Sequence, residues 1–308
     1  MRLVTARKKG TIHEIHAVRK DRPAGLANCP RHRKLRHRLG SWRRPDTSKA
    51  VFNAYAEAGG NFIDTADIYQ FGQSEELLSS MLQGRRENFV LATKFTNGAV
   101  PNADRLVTGN SRKALVSSVE GSLKRLKTDR IDIYWAHHPD GVTPAEEIVR
   151  GFEDLARAGK ILYAGLSNFP AWRLSRAVTL AELTHAVPIA AAQFEHSLVH
   201  REPEADLLPA SEALGLGVVT WSPLGGGMLT GKYRQGEKGR AEGMGGRVFQ
   251  PENSAQRTKV LDTVLAIAGE LGVSADQVAI AGGHPWRGPD DWPALSDTTD
   301  QQPRGYRD

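Results

Sequence analysis

The sequence has a single cysteine, no long apolar run and no glycine-rich dinucleotide fingerprint. Because Cys29 is the only cysteine among 308 residues, neither an intrachain disulfide nor a cysteine-based metal centre can form, which fits a cytoplasmic protein. No apolar stretch approaches about 18 residues, and the basic N-terminus lacks an apolar segment of about 7–15 residues, so we expect neither a membrane span nor a secretory signal. No G-x-G-x-x-G follows the first predicted strand, which argues against a Rossmann-type nucleotide site.

Acidic residues are scarce in the first part of the chain. Residues 1–49 carry 15 Lys and Arg against 3 Asp and Glu, whereas the remaining residues carry 26 against 32. The run RHRKLRHR at 31–38 could contact nucleic acid, but no aromatic stacking residues accompany it. We therefore interpret residues 1–46 as a basic N-terminal segment, either disordered or otherwise distinct from the main domain, and expect no nucleic-acid partner.

From residue 47 onward, strand-like and helical patterns alternate. Six short apolar runs predict strands, at 61–66, 89–94, 131–137, 161–167, 188–194 and 217–223. Helical patterns separate them, and Ser74 and Ser111 are predicted to cap two of these helices. Such sustained alternation predicts an α/β fold of the (β/α)8 TIM-barrel type, with a doubly wound open sheet as the structural alternative.

Two strands of such a barrel are missing from the pattern. A closed barrel of this type needs eight strands, and the alternation supplies six. Residues 29–46 are too charged for a buried first strand, and residues 282–308 show neither a strand nor a helix period. We therefore predict a barrel over 47–281 that is incomplete at its first and last strands, followed by a separate tail over 282–308. RLVTA (2–6) and TIHEIHAV (11–18) could form a hairpin that supplies a substitute strand.

Polar or titratable side chains end three successive strand-like runs. Asp64 and Tyr69 follow the first run, Lys94 ends FVLATK, and His137 follows IDIYWA. In barrels of this type, the chemistry takes place at the carboxyl ends of the strands. A phenol with a pKa of about 10 donates a proton near pH 7 only when a neighbouring ammonium stabilises the phenolate, and a carboxylate can hold that ammonium. This set suits the reduction of a carbonyl group, although each residue alone is also compatible with a structural role.

In these motifs, and in GLSNF and WSPLGGGMLTGKYR, the chain resembles the aldo-keto reductases over about residues 50–281. The resemblance implies an NADP-dependent oxidoreductase that reduces aldehydes or ketones. It implies Tyr69 as the acid, Lys94 as the group that tunes it, Asp64 as the partner of Lys94, and His137 as the donor that orients the carbonyl oxygen. His138 is the weaker imidazole candidate. Residues 1–46 and 282–308 do not resemble the family.

The resemblance also implies a binding site for NADP(H), with NAD(H) as the alternative. The implied nicotinamide contacts are Ser167, Asn168 and Gln193, with His196 at the place where the family usually has a stacking tyrosine. The implied phosphate contacts are Trp221, Ser222, Pro223, Leu224, Gly226, Lys232 and Arg247. The family reads the 2′-phosphate with a C-terminal segment that the tail over 282–308 does not resemble, so we expect weakened cofactor binding.

Two other functions remain open at this point. Some proteins of this fold are cofactor-binding regulatory subunits of channels, and they keep the same four residues. The abrupt change at both termini also suggests an inactive product of a frameshifted reductase gene. We expect a small-molecule carbonyl substrate and no metal or membrane partner. The identity of the substrate depends on loops that vary freely on this fold.

Overall fold

The computed structural model describes residues 3–8, 11–16, 45–237 and 249–283. Its strands are β1 (Leu3–Lys8), β2 (Thr11–His16), β3 (Phe62–Asp64), β4 (Val90–Phe95), β5 (Ile131–Ala136), β6 (Ile161–Ser167), β7 (Ile189–Glu195) and β8 (Gly217–Trp221). Its helices are α1 (Pro45–Glu57), α2 (Gln73–Leu82), α3 (Arg112–Leu126), α4 (Ala145–Arg157), α5 (Ala171–Leu183), α6 (Leu207–Ala213), α7 (Ala255–Leu271) and α8 (Ala275–Gly282).

Six parallel strands, β3 to β8, form the curved sheet in the same order as they occur in the chain. Helices α2 to α6 lie between successive strands, as the alternation predicts. The predicted fold, a TIM-type barrel that is incomplete at its first and last strands, is therefore confirmed. The local pattern predicts this correctly because each strand is a short apolar run and each crossover is a separate amphipathic helix.

A hairpin of β1 and β2 lies beside the outer edge of β8. The two strands are antiparallel, and β1 pairs with β8 through Val4 opposite Val219 and Thr5 opposite Val218. Cα atoms of β2 also come within 8 Å of β3, at the opposite edge of the parallel sheet. The hairpin that the sequence suggested is therefore present, and it covers a strand edge that would otherwise expose unpaired backbone groups.

Side chains alternate between the two faces of the sheet, as the period of a strand requires. Trp135 of β5 faces the barrel interior with a cluster formed by Phe62, Ala92, Ala191 and Val219. Tyr134, its neighbour in the chain, belongs to the larger core between the strands and the helices. Gly165 of β6 pairs with Trp135, and a Cβ atom on Gly165 would lie 2.4 Å from the indole ring. The absence of a side chain at Gly165 therefore makes room for Trp135.

The two serine caps have different outcomes. Ser111 caps α3 as predicted, because its Oγ accepts a hydrogen bond from the amide of Ala114 at 3.3 Å. The cap at Ser74 is wrong: α2 begins at Gln73 after Gly72, which has a φ of 89°. Ser74 is buried in the first turn and accepts a hydrogen bond from Thr65 Oγ1. The positive φ of Gly72 ends the preceding turn, so the cap position lies two residues earlier than the serine pattern suggested.

Helices α7 and α8 form a third cluster with the turns at 225–230. Met228 and Leu229 of those turns pack against Leu261 and Val264 of α7. Among the residues that the structure describes, no single helix is both long and apolar enough to cross a membrane. Helices α7 and α8 meet that test only when they are taken together, and the chain bends by 113° between them.

Candidate active site

A buried ion pair joins the ends of β3 and β4. Lys94 Nζ donates hydrogen bonds to Asp64 Oδ2 at 2.5 Å and to the carbonyl oxygen of Thr65 at 2.6 Å. The Lys94 side chain is fully buried, and Gln193 Nε2 of β7 also contacts Asp64 Oδ2, at 3.3 Å. Burying a single charge is costly unless it is paired and hydrogen-bonded. The chain therefore has an ammonium whose position is fixed by two neighbouring strands.

Tyr69 and His137 lie next to this ion pair. Tyr69 lies in a turn after β3, and its amide donates a hydrogen bond to the carbonyl oxygen of Ala66. Lys94 Nζ lies 5.1 Å from the centre of the Tyr69 ring. The ring of His137 approaches that of Tyr69 edge-on, with 6.0 Å between the ring centres. The structure therefore brings the four residues together as the sequence predicted, since the carboxyl ends of parallel strands meet at one edge.

His137 is held on several sides. Its amide donates to the carbonyl oxygen of Phe95 and to Thr96 Oγ1, both at 3.2 Å. Its ring stacks on that of His138, with 4.5 Å between the ring centres and 12° between the planes. Its Nδ1 atom lies 3.1 Å from Asn97 Nδ2. The sequence motifs do not single out Asn97, although a polar residue two positions past the end of β4 is a signal of a site at the strand end.

Asn168 directly follows β6 and joins it to the ends of three other strands, β5, β7 and β8, in the region expected to bind the nicotinamide. Its Nδ2 atom donates to the carbonyl oxygen of His137 at 2.8 Å and to Ser167 Oγ at 3.0 Å, while its Oδ1 atom accepts from Trp221 Nε1 at 3.0 Å. Its own amide donates to the carbonyl oxygen of Gln193 at 2.7 Å. A carbonyl oxygen has two lone pairs, so Asn168 Oδ1 can accept a further donor, such as a carboxamide.

His196 is buried and joins the end of β7 to the end of α8. Its Nδ1 atom lies 3.0 Å from the carbonyl oxygen of Gly283, and its Nε2 atom lies 3.0 Å from Glu204 Oε1. Both ring nitrogens therefore contact protein acceptors. Stacking of His196 on a nicotinamide would use the face of the ring and stays a prediction.

The loop after β8 turns tightly through successive glycines. Gly225, Gly226 and Gly227 all have a positive φ, and a Cβ atom on Gly226 would lie 2.8 Å from Phe249 Cβ. A Cβ atom on Gly227 would lie 3.1 Å from the Lys232 side chain, so that lysine folds back against the loop. Such a glycine-rich turn allows backbone and an ammonium to approach a phosphate closely.

The other predicted loop residues have different outcomes. Trp221 ends β8, Ser222 is buried, and Pro223 and Leu224 are half-buried. Arg247 lies outside the described residues. The roles of these residues in binding a cofactor stay predictions.

A second acidic cluster, which the sequence motifs do not single out, contacts Thr93 and the backbone of Lys94 on β4. Glu75 is buried and accepts hydrogen bonds from Thr93 Oγ1 at 2.6 Å and from Arg125 Nε at 2.7 Å. Asp67 is buried beside them, and its amide donates to the carbonyl oxygen of Lys94 at 3.1 Å. A sign of it in the sequence is the second carboxylate in DTADIY, three residues after Asp64.

Burial changes the titration of this acidic cluster. Loss of solvent, and after it the charge of Glu75, raises the pKa of Asp67 from 3.8 to about 7, although the Ile68 amide and Arg125 oppose this rise. Burial also raises the pKa of Tyr134, and the charges of Asp67 and Glu75 add to that effect. Asp67 is therefore a buried carboxyl group whose pKa is raised toward neutral pH.

Residues 38–281 match the model of the aldo/keto reductase family. The chain belongs to the aldo/keto reductase family. The match ends at residue 281, as the predicted barrel does, and begins nine residues before the predicted start at residue 47. The family resemblance predicted from the motifs is therefore confirmed.

Relatives with assigned names point to oxidoreductases and to a channel subunit. A protein of Oryza sativa subsp. japonica named "probable voltage-gated potassium channel subunit beta" is 38% identical over 76% of this chain and 73% of its own. The uncharacterized oxidoreductase YrpG of Bacillus subtilis is 42% identical over 62% of each chain. The aryl-alcohol dehydrogenase (NADP(+)) of Phanerodontia chrysosporium is 33% identical over 77% of this chain and 65% of its own. The chain thus spans about two thirds of these relatives, and the family supports an oxidoreductase that acts on carbonyl groups.

Proposed function

We propose that the protein reduces aldehydes or ketones to alcohols with NADP(H). The observation that carries this proposal is the buried Lys94–Asp64 ion pair beside Tyr69 and His137. An ammonium, a phenol and an imidazole at one barrel mouth supply a proton and a hydrogen bond to a single oxygen atom. The similarity to an NADP(+) aryl-alcohol dehydrogenase supports NADP(H) over NAD(H) and an aromatic carbonyl as substrate.

The residues present fit a nicotinamide dinucleotide. Asn168 Oδ1 keeps acceptor capacity, Ser167 can still donate its hydroxyl proton, and Lys232 folds against the glycine loop. We infer that Ser167, Asn168 and Gln193 hold the carboxamide, and that the loop from Trp221 with Lys232 holds the phosphates. When bound, this cofactor supplies the hydride.

The proposed chemistry assigns one task to each side chain. Tyr69 gives its phenolic proton to the carbonyl oxygen as that oxygen gains negative charge, and His137 donates a hydrogen bond to the same atom. Lys94 favours the phenolate that is left, because a neighbouring cation stabilises an anion. Asp64 keeps Lys94 in place through its 2.5 Å hydrogen bond.

Replacing Tyr69 tests this proposal. We expect Tyr69→Phe to lower the turnover of an aromatic aldehyde by about 100-fold or more, while NADPH binding persists, since the phenol acts on the carbonyl oxygen. Tyr163→Phe is the matched control, because Tyr163 lies half-exposed near the start of β6. Absorbance at 340 nm measures turnover, and quenching of protein fluorescence measures binding. A loss of only about threefold would exclude Tyr69 as the acid.

A cofactor-binding regulatory subunit is the second candidate, favoured by the similarity to the rice protein named as a channel subunit. It predicts NADPH binding with negligible turnover over a panel of aldehydes and ketones. An inactive gene product predicts neither binding nor a cooperative thermal transition. A cytoplasmic location is part of the first proposal, and cell fractionation tests it. We also propose the bounds 1–46, 47–281 for the barrel and 282–308, with β1 of the first segment paired to β8 of the barrel. Limited proteolysis tests these bounds.

A further inference from the structure

The turn after β4 has an unusual backbone at Thr96. Thr96 is buried and has a φ of 108°, which a β-branched residue rarely adopts. Its hydroxyl donates to Asn110 Oδ1 at 2.7 Å and accepts from the His137 amide at 3.2 Å, and its carbonyl oxygen accepts from the Gly109 amide at 2.8 Å. The surrounding loops therefore hold this residue in a strained conformation, and such strain is concentrated at functional sites.

The strained turn brings the Asn97 side chain to His137. Asn97 Nδ2 lies 3.1 Å from His137 Nδ1. An amide nitrogen only donates hydrogen bonds, so His137 Nδ1 is the acceptor in this contact. A neutral imidazole that accepts at Nδ1 carries its proton at Nε2. The stacked ring of His138 holds the plane of the imidazole at the same time.

We propose that Asn97 is a positioning residue that fixes His137 as the Nε2–H tautomer. In this form His137 presents a donor to the carbonyl oxygen, which has lone pairs to accept it. The opposite tautomer would present a lone pair and would repel that oxygen. This inference rests on the proposed carbonyl reduction, and it adds a residue that neither the motifs nor the ion pair identified.

The tautomer is measurable without turnover. Nitrogen-15 spectra of the labelled full-length protein distinguish protonated from unprotonated ring nitrogens, and loss of one set of signals in His137→Gln assigns His137. We expect an unprotonated Nδ1 and a protonated Nε2 in the unsubstituted chain. Asn97→Asp replaces the donor by an acceptor and should place a proton on Nδ1, while Asn97→Leu should leave a mixture. Asn102→Asp is the matched control, because it adds the same charge at an exposed position of the same loop.

Kinetics provide the second measurement. We expect Asn97→Asp to lower kcat by about 100-fold, the effect of losing one donor to the reacting oxygen, and Asn97→Leu by about tenfold. NADPH affinity should not change, and Asn102→Asp should behave as the unsubstituted chain. A protonated Nδ1 in the unsubstituted chain, or a tautomer that is identical in all variants, would overturn the role of Asn97 whatever the activity. The expected spectra in a chain that turns over no carbonyl compound would instead refute the proposed function and leave the tautomer assignment standing.

Discussion

Replacing Asp67 by asparagine should stabilise the protein above neutral pH. Among the described residues, neither carboxylate oxygen of Asp67 makes a hydrogen bond of normal geometry. Burial and the charge of Glu75 raise its pKa from 3.8 to about 7. Asparagine has nearly the same shape as the protonated acid and carries no charge, so it removes the cost of ionising this buried position.

The sign and size of the effect follow from proton linkage. Between about pH 4 and pH 7 the folded state holds the Asp67 proton and the unfolded state does not, so the free energy of unfolding falls as the pH rises. Each unit of pKa difference corresponds to about 1.4 kcal/mol, so the whole shift costs about 4 kcal/mol above pH 7. Of this, about 3 kcal/mol should develop between pH 5 and pH 8, since about 2 units of the shift lie above pH 5.

Urea unfolding at pH 5, 6, 7 and 8 measures this directly. The difference in the free energy of unfolding between Asp67→Asn and the unsubstituted chain should grow by about 3 kcal/mol from pH 5 to pH 8. Asp129→Asn is the matched control, because its side chain is 85% exposed and its substitution removes no buried charge. A difference that stays constant with pH would refute the reasoning, since it would mean that Asp67 titrates alike in both states.

Two further substitutions test the packing and the ion pair. Gly165→Ala should destabilise the protein by about 1–3 kcal/mol, because the added Cβ atom would meet the buried Trp135 ring. Gly269→Ala on α7 should stabilise it by about 0.5–1 kcal/mol, because a Cβ atom there meets nothing within 4 Å. Equal effects of the two substitutions on thermal unfolding would contradict this reasoning. Asp64→Asn should lower kcat and add little to the loss caused by Lys94→Met, because the two residues act as one unit; fully additive losses in a double-mutant cycle would show that they act separately.

Much of the fold could be predicted because its information is local. The six runs that end near Asp64, Lys94, His137, Ser167, Gln193 and Trp221 each have the length and residue types of a strand, and all six are strands. Parallel strands end at the same edge of the sheet. The proximity of Asp64, Lys94 and His137 to Tyr69 therefore also followed from the order of the motifs. The roles of these residues stay predictions.

The sequence by itself determined the barrel type, its six parallel strands and the residues at its mouth, because periodicity and strand order depend on neighbours in the chain. Only the tertiary structure decided that β1 pairs with β8, that Asn97 contacts His137 and that Asp67 is buried against the backbone of Lys94. It also decided that His196 contacts Gly283 and Glu204. These contacts join residues that are distant in the chain, or they depend on a single strained φ, as at Thr96. No local pattern specifies them, because each depends on where the whole sheet places the backbone.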